Sequence, residues 1–205
     1  MIEVRIQNHT GKNGKLTIYA PAANNRCIPE IFYEPIGYKN EIIRFLDIPS
    51  YYLGDEYLKK VVLNNIRFMD KQYNEVVNNP DFVTFETDAD FSLEPAEPIG
   101  DVLYEKNGLV FSIQRTDEDY MFYITNTSRQ DFGVRTYASL VNGKTDKLWV
   151  DATLPSECRE EANILSRIHL DEDEELSEIK IQLECNCYSA PQESFVTDYI
   201  ELPVN

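Results

Sequence analysis

Apolar and polar residues alternate along most of the chain in short runs, and Asn, Gly, Asp and Pro punctuate the gaps between them. A period of two sends successive side chains to opposite faces of an extended strand, whereas the three-to-four spacing of an amphipathic helix is scarce. In the second half the pattern predicts strands over LVFSIQ (109–114), DYMFYIT (119–125), GVRTYASLV (133–141), DKLWVD (146–151), NILSRI (163–168), IKIQLECNCY (179–188) and FVTDYIEL (195–202). The acidic stretch DEDEELSE (171–178) interrupts it and reads as one exposed helical or irregular turn. Trp149, the single tryptophan, falls on a predicted strand and is expected to pack in the core.

Seven short strands with turn residues between them suit an immunoglobulin-like sandwich. The first half lies over the second with a constant shift of 118: Ile6 on Ile124, Asn8 on Asn126, Leu16 on Val134, Tyr19 and Ala20 on Tyr137 and Ala138, Asn24 on Asn142, Leu58 on Leu176, Val61 on Ile179 and Leu63 on Ile181. With the shift shortened to 113, FVT at 82–84 falls on FVT at 195–197. The matches keep their order and sit at turn asparagines and inward apolar positions, the places a shared fold constrains. A chain of 205 residues, 42% hydrophobic, can fill two cores of ordinary domain size.

The expected fold is therefore all-β, two tandem immunoglobulin-like β-sandwich domains: an incomplete copy over 1–87, an acidic linker with Pro95 and Pro98 over 88–101, and a full copy over 102–205. LVFSIQ precedes the FYITNTS unit of the second copy, and the first copy has no counterpart for it. The first sandwich is expected to lack its opening strand, leaving an unpaired edge for the linker, a second molecule or a partner's strand to fill.

Asn8 and Asn126 each open an Asn-x-Thr/Ser triplet at the end of a strand. Asn suits a turn because its side chain bonds backbone two residues on and tolerates positive φ. The rival reading, N-glycosylation, shares the same triplet. Asn142 is followed by Gly143, a hairpin signal, whereas Asn24 is not followed by Gly, so the first hairpin is expected to differ.

The second half resembles the immunoglobulin-like domains of unknown function found in secreted proteins and lipoproteins of Gram-positive gut bacteria. The resemblance rests on Thr125-Asn126-Thr127-Ser128, on Val141-Asn142-Gly143, on the strand from Leu176 through Leu183, and on Thr197-Asp198 with Ile200. It implies a non-catalytic accessory or binding module, engaged in protein–protein or cell-envelope interaction, with no chemistry attached.

Charge narrows the partners. The net charge of −17 leaves nothing to release counterions from a phosphate backbone, so direct nucleic-acid binding is not expected. An acidic inhibitor that mimics nucleic acid and blocks a basic groove is the alternative of another class. A protein partner is expected. No window approaches the roughly 18 apolar residues of a membrane helix, and MIEVRIQNHTGKNGK has no basic region followed by an apolar one, so no export leader is expected and the compartment stays open.

Candidate chemistry is sparse. Cys27, Cys158, Cys185 and Cys187 match no zinc or redox spacing; Cys185 and Cys187 share a strand face, and either could meet Cys158 or remain a buried thiol. Only His9 and His169 are present, and no phosphate loop or hydrolase signature occurs, so a cofactor and a metal are not expected; nor is an enzyme, which would have to work without a recognisable motif and is the third alternative. The acidic clusters at 88–90, 117–119 and 171–175 lack the spaced ladder of a calcium loop and read as solvated charge. Tyr33, Tyr38, Tyr51, Tyr52 and Tyr57 concentrate in loop-like stretches and form the candidate partner-binding patch, with a role in completing the core as the other reading.

Overall fold

The computed structural model describes residues 2–38, 40–46, 48, 53, 57–90, 92–116, 120–146, 148–162, 168, 170 and 175–204. The chain divides into two compact units, Met1–Leu93 and Glu94–Asn205, and both are built of antiparallel strands. The fold is all-β and sandwich-like.

In the first unit β1 (Ile2–Gln7) pairs with β4 (Glu41–Leu46). The second layer holds β2 (Gly14–Ala23), β3 (Arg26–Ile36), β5 (Lys60–Asp70), β6 (Glu75–Asn79) and β7 (Val83–Glu86), with β2 between β3 and β5 and with β6 and β7 both on β5. Alternation along β2 and β5 turns Leu16, Ile18, Ala20, Val61, Leu63 and Phe68 into one buried cluster. Ile6 and Ile42, partners across β1 and β4, pack onto that cluster and join the two layers.

In the second unit one layer runs β14 (Arg159–Ala162), β10 (Tyr120–Asn126), β9 (Leu109–Arg115), β8 (Asp101–Lys106). The other centres on β11 (Phe132–Val141) and β15 (Ile179–Cys187). β12 (Lys144–Thr145) and β13 (Asp151–Leu154) pair with β11, while β16 (Phe195–Val196) and β17 (Ile200–Leu202) pair with β15. Every second residue of β15 is buried from Ile179 to Cys187, and Phe111 stacks on Phe122 with ring centres 6.2 Å apart.

Strands form where alternation was strongest, and three expectations need correction. Of the stretch 146–151, Asp146 and residues 148–150 are not in a strand and 147 lies outside the described residues: β13 begins only at Asp151. The Ser139 hydroxyl donates to the Asp146 carbonyl (2.6 Å) and accepts from the Leu148 N–H (3.1 Å), while Thr136 Oγ1 accepts from the Val150 N–H (2.8 Å). Side-chain hydroxyls thus stand in for ladder carbonyls next to the β11 irregularity between Thr136 and Ala138. Leu148 and Val150 are consequently buried and Trp149 between them is 62% exposed, the reverse of the expected core position.

The predicted strand at 195–202 is broken into β16 and β17, since the Thr197 N–H and hydroxyl bond the Leu183 carbonyl and N–H instead. Of the strand expected over 163–168, residues 163–167 lie outside the described residues, and the strand that pairs β10 is the earlier β14. From the acidic stretch 171–178, residues 171–174 also lie outside them, and 175–178 carry no regular structure.

The two hairpins agree where a difference was expected. Ala23 pairs Arg26 and Val141 pairs Lys144, each across a two-residue turn. Asn24 and Asn25 have φ of 46° and 61°; Asn142 and Gly143 have 50° and 72°. Asn25 adopts the left-handed conformation that glycine provides in the second hairpin, which Asn tolerates better than other side chains.

Candidate functional site

Asn8 and Asn126 act as turn residues, each with its side-chain amide fully engaged. Asn126 is fully buried; its Oδ1 accepts from the Ser128 N–H (3.0 Å) and hydroxyl (2.7 Å), and its Nδ2 donates to the carbonyls of Gln130 (2.6 Å), Leu154 (3.2 Å) and Pro155 (3.0 Å). Asn8 repeats this: Oδ1 accepts from the Thr10 N–H (3.0 Å) and hydroxyl (2.6 Å), and Nδ2 donates to Lys12 (2.7 Å) and Gly37 (3.0 Å). Gly37 and Pro155 lie the same 29 residues on. A glycan on either nitrogen would break these bonds. The expected positive φ is found at neither, but at Asn24 and Asn142.

This bracket shapes a groove of about 440 Å³ in the first unit, lined by Gln7, Asn8, His9, Gly11, Tyr38, Asn40 and Glu41. Gln7 Nε2 donates to Glu41 Oε2 (3.0 Å), and Gln7 Oε1 lies 3.3 Å from His9 Nε2. The Tyr38 N–H donates to Asn13 Oδ1 (2.6 Å), holding that half-exposed ring at the rim. Gly11, at φ 78°, lets the turn pass beneath the Tyr38 ring.

The groove lies beside an open strand edge. Among the described residues β1 pairs only with β4. The Asn8 N–H bonds the Asn40 carbonyl, so even-numbered backbone groups of β1 face β4 and those of Glu3, Arg5 and Gln7 face away. In the second unit β10, onto which the shift of 118 lays β1, is paired along its length with β9. There the Asn107–Gly108 turn packs on Thr127 and Ser128: the Thr127 N–H and hydroxyl donate to the Gly108 carbonyl (2.8 and 3.0 Å), and a Cβ on Gly108 would come within 2.7 Å of the Ser128 Cβ. Under the shift of 118 His9 falls on Thr127, and among the described residues no such turn packs upon it.

The tyrosines proposed as a patch are separated. Tyr38 stands at the Gly14 end of β2, whereas Tyr57, 82% exposed, sits at the other end, where its carbonyl accepts from Asn24 Nδ2 (2.7 Å). A ten-residue strand keeps these ends roughly 30 Å apart. Tyr33 lies on β3 with the Lys15 ammonium 4.1 Å from its ring centre. Tyr51 and Tyr52 lie outside the described residues.

A second groove, of about 550 Å³, went unrecognised in the sequence: Arg135, Thr136, Tyr137, Trp149, Val150, Asp151 and Glu184 line it on the second unit. The apolar neighbours of Trp149 were the available signal, because burying both Leu148 and Val150 sends the residue between them outward.

All four cysteines are free, and Cys185 and Cys187 share one buried face of β15 as their spacing implied. Burial, with the Glu184 carboxylate nearby, pushes the Cys185 thiol up to about 12, leaving no nucleophilic thiolate there at neutral pH. Among the described residues no group of three or more His, Cys, Asp or Glu is placed to hold a metal, and no helix is long and apolar enough to cross a membrane. Residues 117–119, one of the acidic clusters, lie outside the described residues. No family model matches the chain, and no curated protein matches it.

Proposed function

We propose that the chain is a tandem of two copies of one immunoglobulin-like sandwich and works as a non-catalytic binding module, accepting a strand from a protein partner along the edge of β1. The observation that carries this reading is the contrast between β10, paired with β9, and β1, whose corresponding edge carries no strand among the described residues. Support for treating them as equivalent comes from shared registers: Gly14 pairs Ile36 as Phe132 pairs Leu154, and Ile6 pairs Ile42 as Ile124 pairs Glu160, all at a shift of 118. Unpaired N–H and C=O groups on an edge recruit another strand, with main-chain bonds giving affinity and alternate side chains giving specificity.

The second unit supplies the template. Leu109, Phe111 and Ile113 lie opposite Asn126, Ile124 and Phe122. The same register calls for a partner strand with apolar residues opposite Asn8, Ile6 and Val4, its turn end resting in the groove at His9 and Tyr38. A role at a bacterial envelope rests on the resemblance alone.

Hydrogen exchange of backbone amides tests this reading. With the edge open, the amides of Glu3, Arg5 and Gln7 exchange fast while that of Asn8 is protected, and a peptide of the sequence NGLVFSIQRT, residues 107–116, slows the first three saturably. Slow exchange at Arg5 and Gln7 without peptide, or no added protection with it, overturns the proposal.

A further inference from the structure

The groove on the second unit combines features that the strand-binding reading does not use. Trp149 and Tyr137 line it together at 62% and 63% exposed, whereas Phe111, Phe122 and Phe132 of the same unit are fully buried; Tyr188 and Tyr199 are also exposed but do not line the groove. Leaving an indole in water forgoes one of the largest available burial energies, so an exposed Trp beside an exposed Tyr in a concavity marks a contact surface. Its volume falls in the range of small-molecule sites.

The polar wall narrows the ligand. Arg135 donates through Nε to Glu184 (2.5 Å), and its remaining guanidinium N–H groups are further donors at the rim. Asp151, whose charge acts on its cross-strand neighbour Arg135, and the second oxygen of Glu184 are acceptors. An anionic ligand would face two carboxylates. A quaternary ammonium would meet the Arg135 charge in the same groove. A purely apolar side chain would desolvate Asp151 and the outer N–H groups of Arg135 and offer them nothing in return, a cost of about 1–3 kcal/mol per group. A neutral ring with an aliphatic C–H face and a rim of hydroxyls satisfies every wall: the face stacks on Trp149 or Tyr137, and vicinal hydroxyls accept from Arg135 and donate to Asp151 and Glu184.

We propose that this groove binds a pyranose unit of a neutral oligosaccharide, with Trp149 and Tyr137 as the stacking platform and Arg135, Asp151 and Glu184 as the hydroxyl-reading groups. The site belongs to the second unit alone. A shift of 118 puts Thr17, Ile31 and Tyr33 where Arg135, Trp149 and Asp151 stand, which removes the indole and both charged groups.

Trp149 is the only tryptophan, so its emission reports on this groove without interference. Cellohexaose, xylohexaose, mannohexaose and chitohexaose are each titrated into the full chain, with fluorescence and acrylamide quenching as readouts. At least one should shift the emission to shorter wavelength and reduce quenching saturably, with a Kd near or below about 1 mM, a strength typical of a single shallow site. Tyr137→Ala and Asp151→Asn, both at exposed positions, should keep the unfolding midpoint and weaken that binding at least about tenfold. No saturable change with any of the four sugars up to about 10 mM, or equal binding by both variants, overturns the proposal. Quenching protection by tetramethylammonium but by no sugar overturns it as well and makes the groove a cation site.

Discussion

Asn24 and Asn142 capture their partners at the same separations along the chain. Nδ2 of each donates to the carbonyl 33 residues on, Tyr57 at 2.7 Å and Glu175 at 2.8 Å. Oδ1 of each accepts from the N–H groups 35 and 36 residues on: Lys59 and Lys60 at 2.8 and 3.1 Å, Ser177 and Glu178 at 2.8 and 3.1 Å. One side chain thereby ties the β2–β3 turn to the start of β5, and its equivalent ties the β11–β12 turn to the start of β15. Because the two strands joined are far apart in sequence, this clamp fixes which strands become neighbours.

Replacing Asn24 by Ala should cost about 2 kcal/mol, since the Lys59 and Lys60 N–H groups and the Tyr57 carbonyl lose their partner and the left-handed turn loses a residue that tolerates it. Asn142→Ala should cost less, because the bonds to Glu175 and Ser177 are solvent-exposed and water replaces them. Chemical denaturation of both variants gives the comparison; an equal or reversed order refutes the assignment of the cost to buried backbone.

Gly143 should be replaceable by Asn at little cost and by Ala at about 1 kcal/mol. Its φ is 72° and a Cβ would meet nothing within 4 Å, so only the backbone conformation resists substitution. Asn25 already occupies the matching conformation in the other hairpin. Thermal unfolding of Gly143→Asn and Gly143→Ala ranks them.

How far the sequence was legible follows from the range of the interactions. The bond from Asn126 to Ser128 spans two residues and follows from local turn chemistry. Its bond to Pro155, 29 residues away, does not, since only the closed fold brings that carbonyl near. Strands β9 and β10 carry near-continuous apolar runs and β11 and β15 long alternations, and all four were readable within a residue or so of their ends. The apolar run Leu148–Trp149–Val150 reads as a strand too, but Leu148 and Val150 are held by the Ser139 and Thr136 hydroxyls, a tertiary effect that no pattern announces. Closeness in sequence does not carry over to space for Tyr38 and Tyr57, which stand at opposite ends of β2, while Tyr51 and Tyr52 lie outside the described residues.

Asp70 should make the first unit acid-sensitive in a narrow window. Burial alone would raise its pKa, but hydrogen bonds from the Asn74 side chain and backbone, Lys12 and the Gln72 N–H outweigh it and hold the carboxyl down at about 2, against an ordinary 3.8. The folded form therefore binds this proton less readily than the unfolded one. Its stabilisation is complete above about pH 4 and is lost as pH falls from 3.8 toward 2. Asp70→Asn should lower the urea midpoint at pH 7 and flatten its decline between pH 4 and pH 2; an unchanged slope there would assign the acid sensitivity to other carboxylates.

Thiol labelling should discriminate the cysteines. Cys158, Cys185 and Cys187 are buried, and Cys185 has its thiol pushed up to about 12, whereas Cys27 is partly exposed. Under native conditions at pH 8, iodoacetamide should modify Cys27 first and Cys185 only on unfolding, as read by mass spectrometry of peptides. Early labelling of Cys185 would mean that β15 opens locally.

Proline scanning of β1 distinguishes its two edges. The Ile6 N–H faces β4 and belongs to the ladder, so Ile6→Pro should remove a bond, distort the pairing with Ile42 and cost about 3 kcal/mol or more. The Arg5 N–H faces the side where β9 sits in the second unit; with that side open, Arg5→Pro loses no ladder bond and only the exposed Arg5–Glu3 ion pair, and should cost under about 1 kcal/mol. The same substitution removes a donor that an added strand would need, so Arg5→Pro should keep the fold and abolish binding of the NGLVFSIQRT peptide. Equal destabilisation by both prolines would mean that the edge is occupied in the folded chain, and the strand-acceptor reading would then fail while the sugar groove on the second unit would stand untouched.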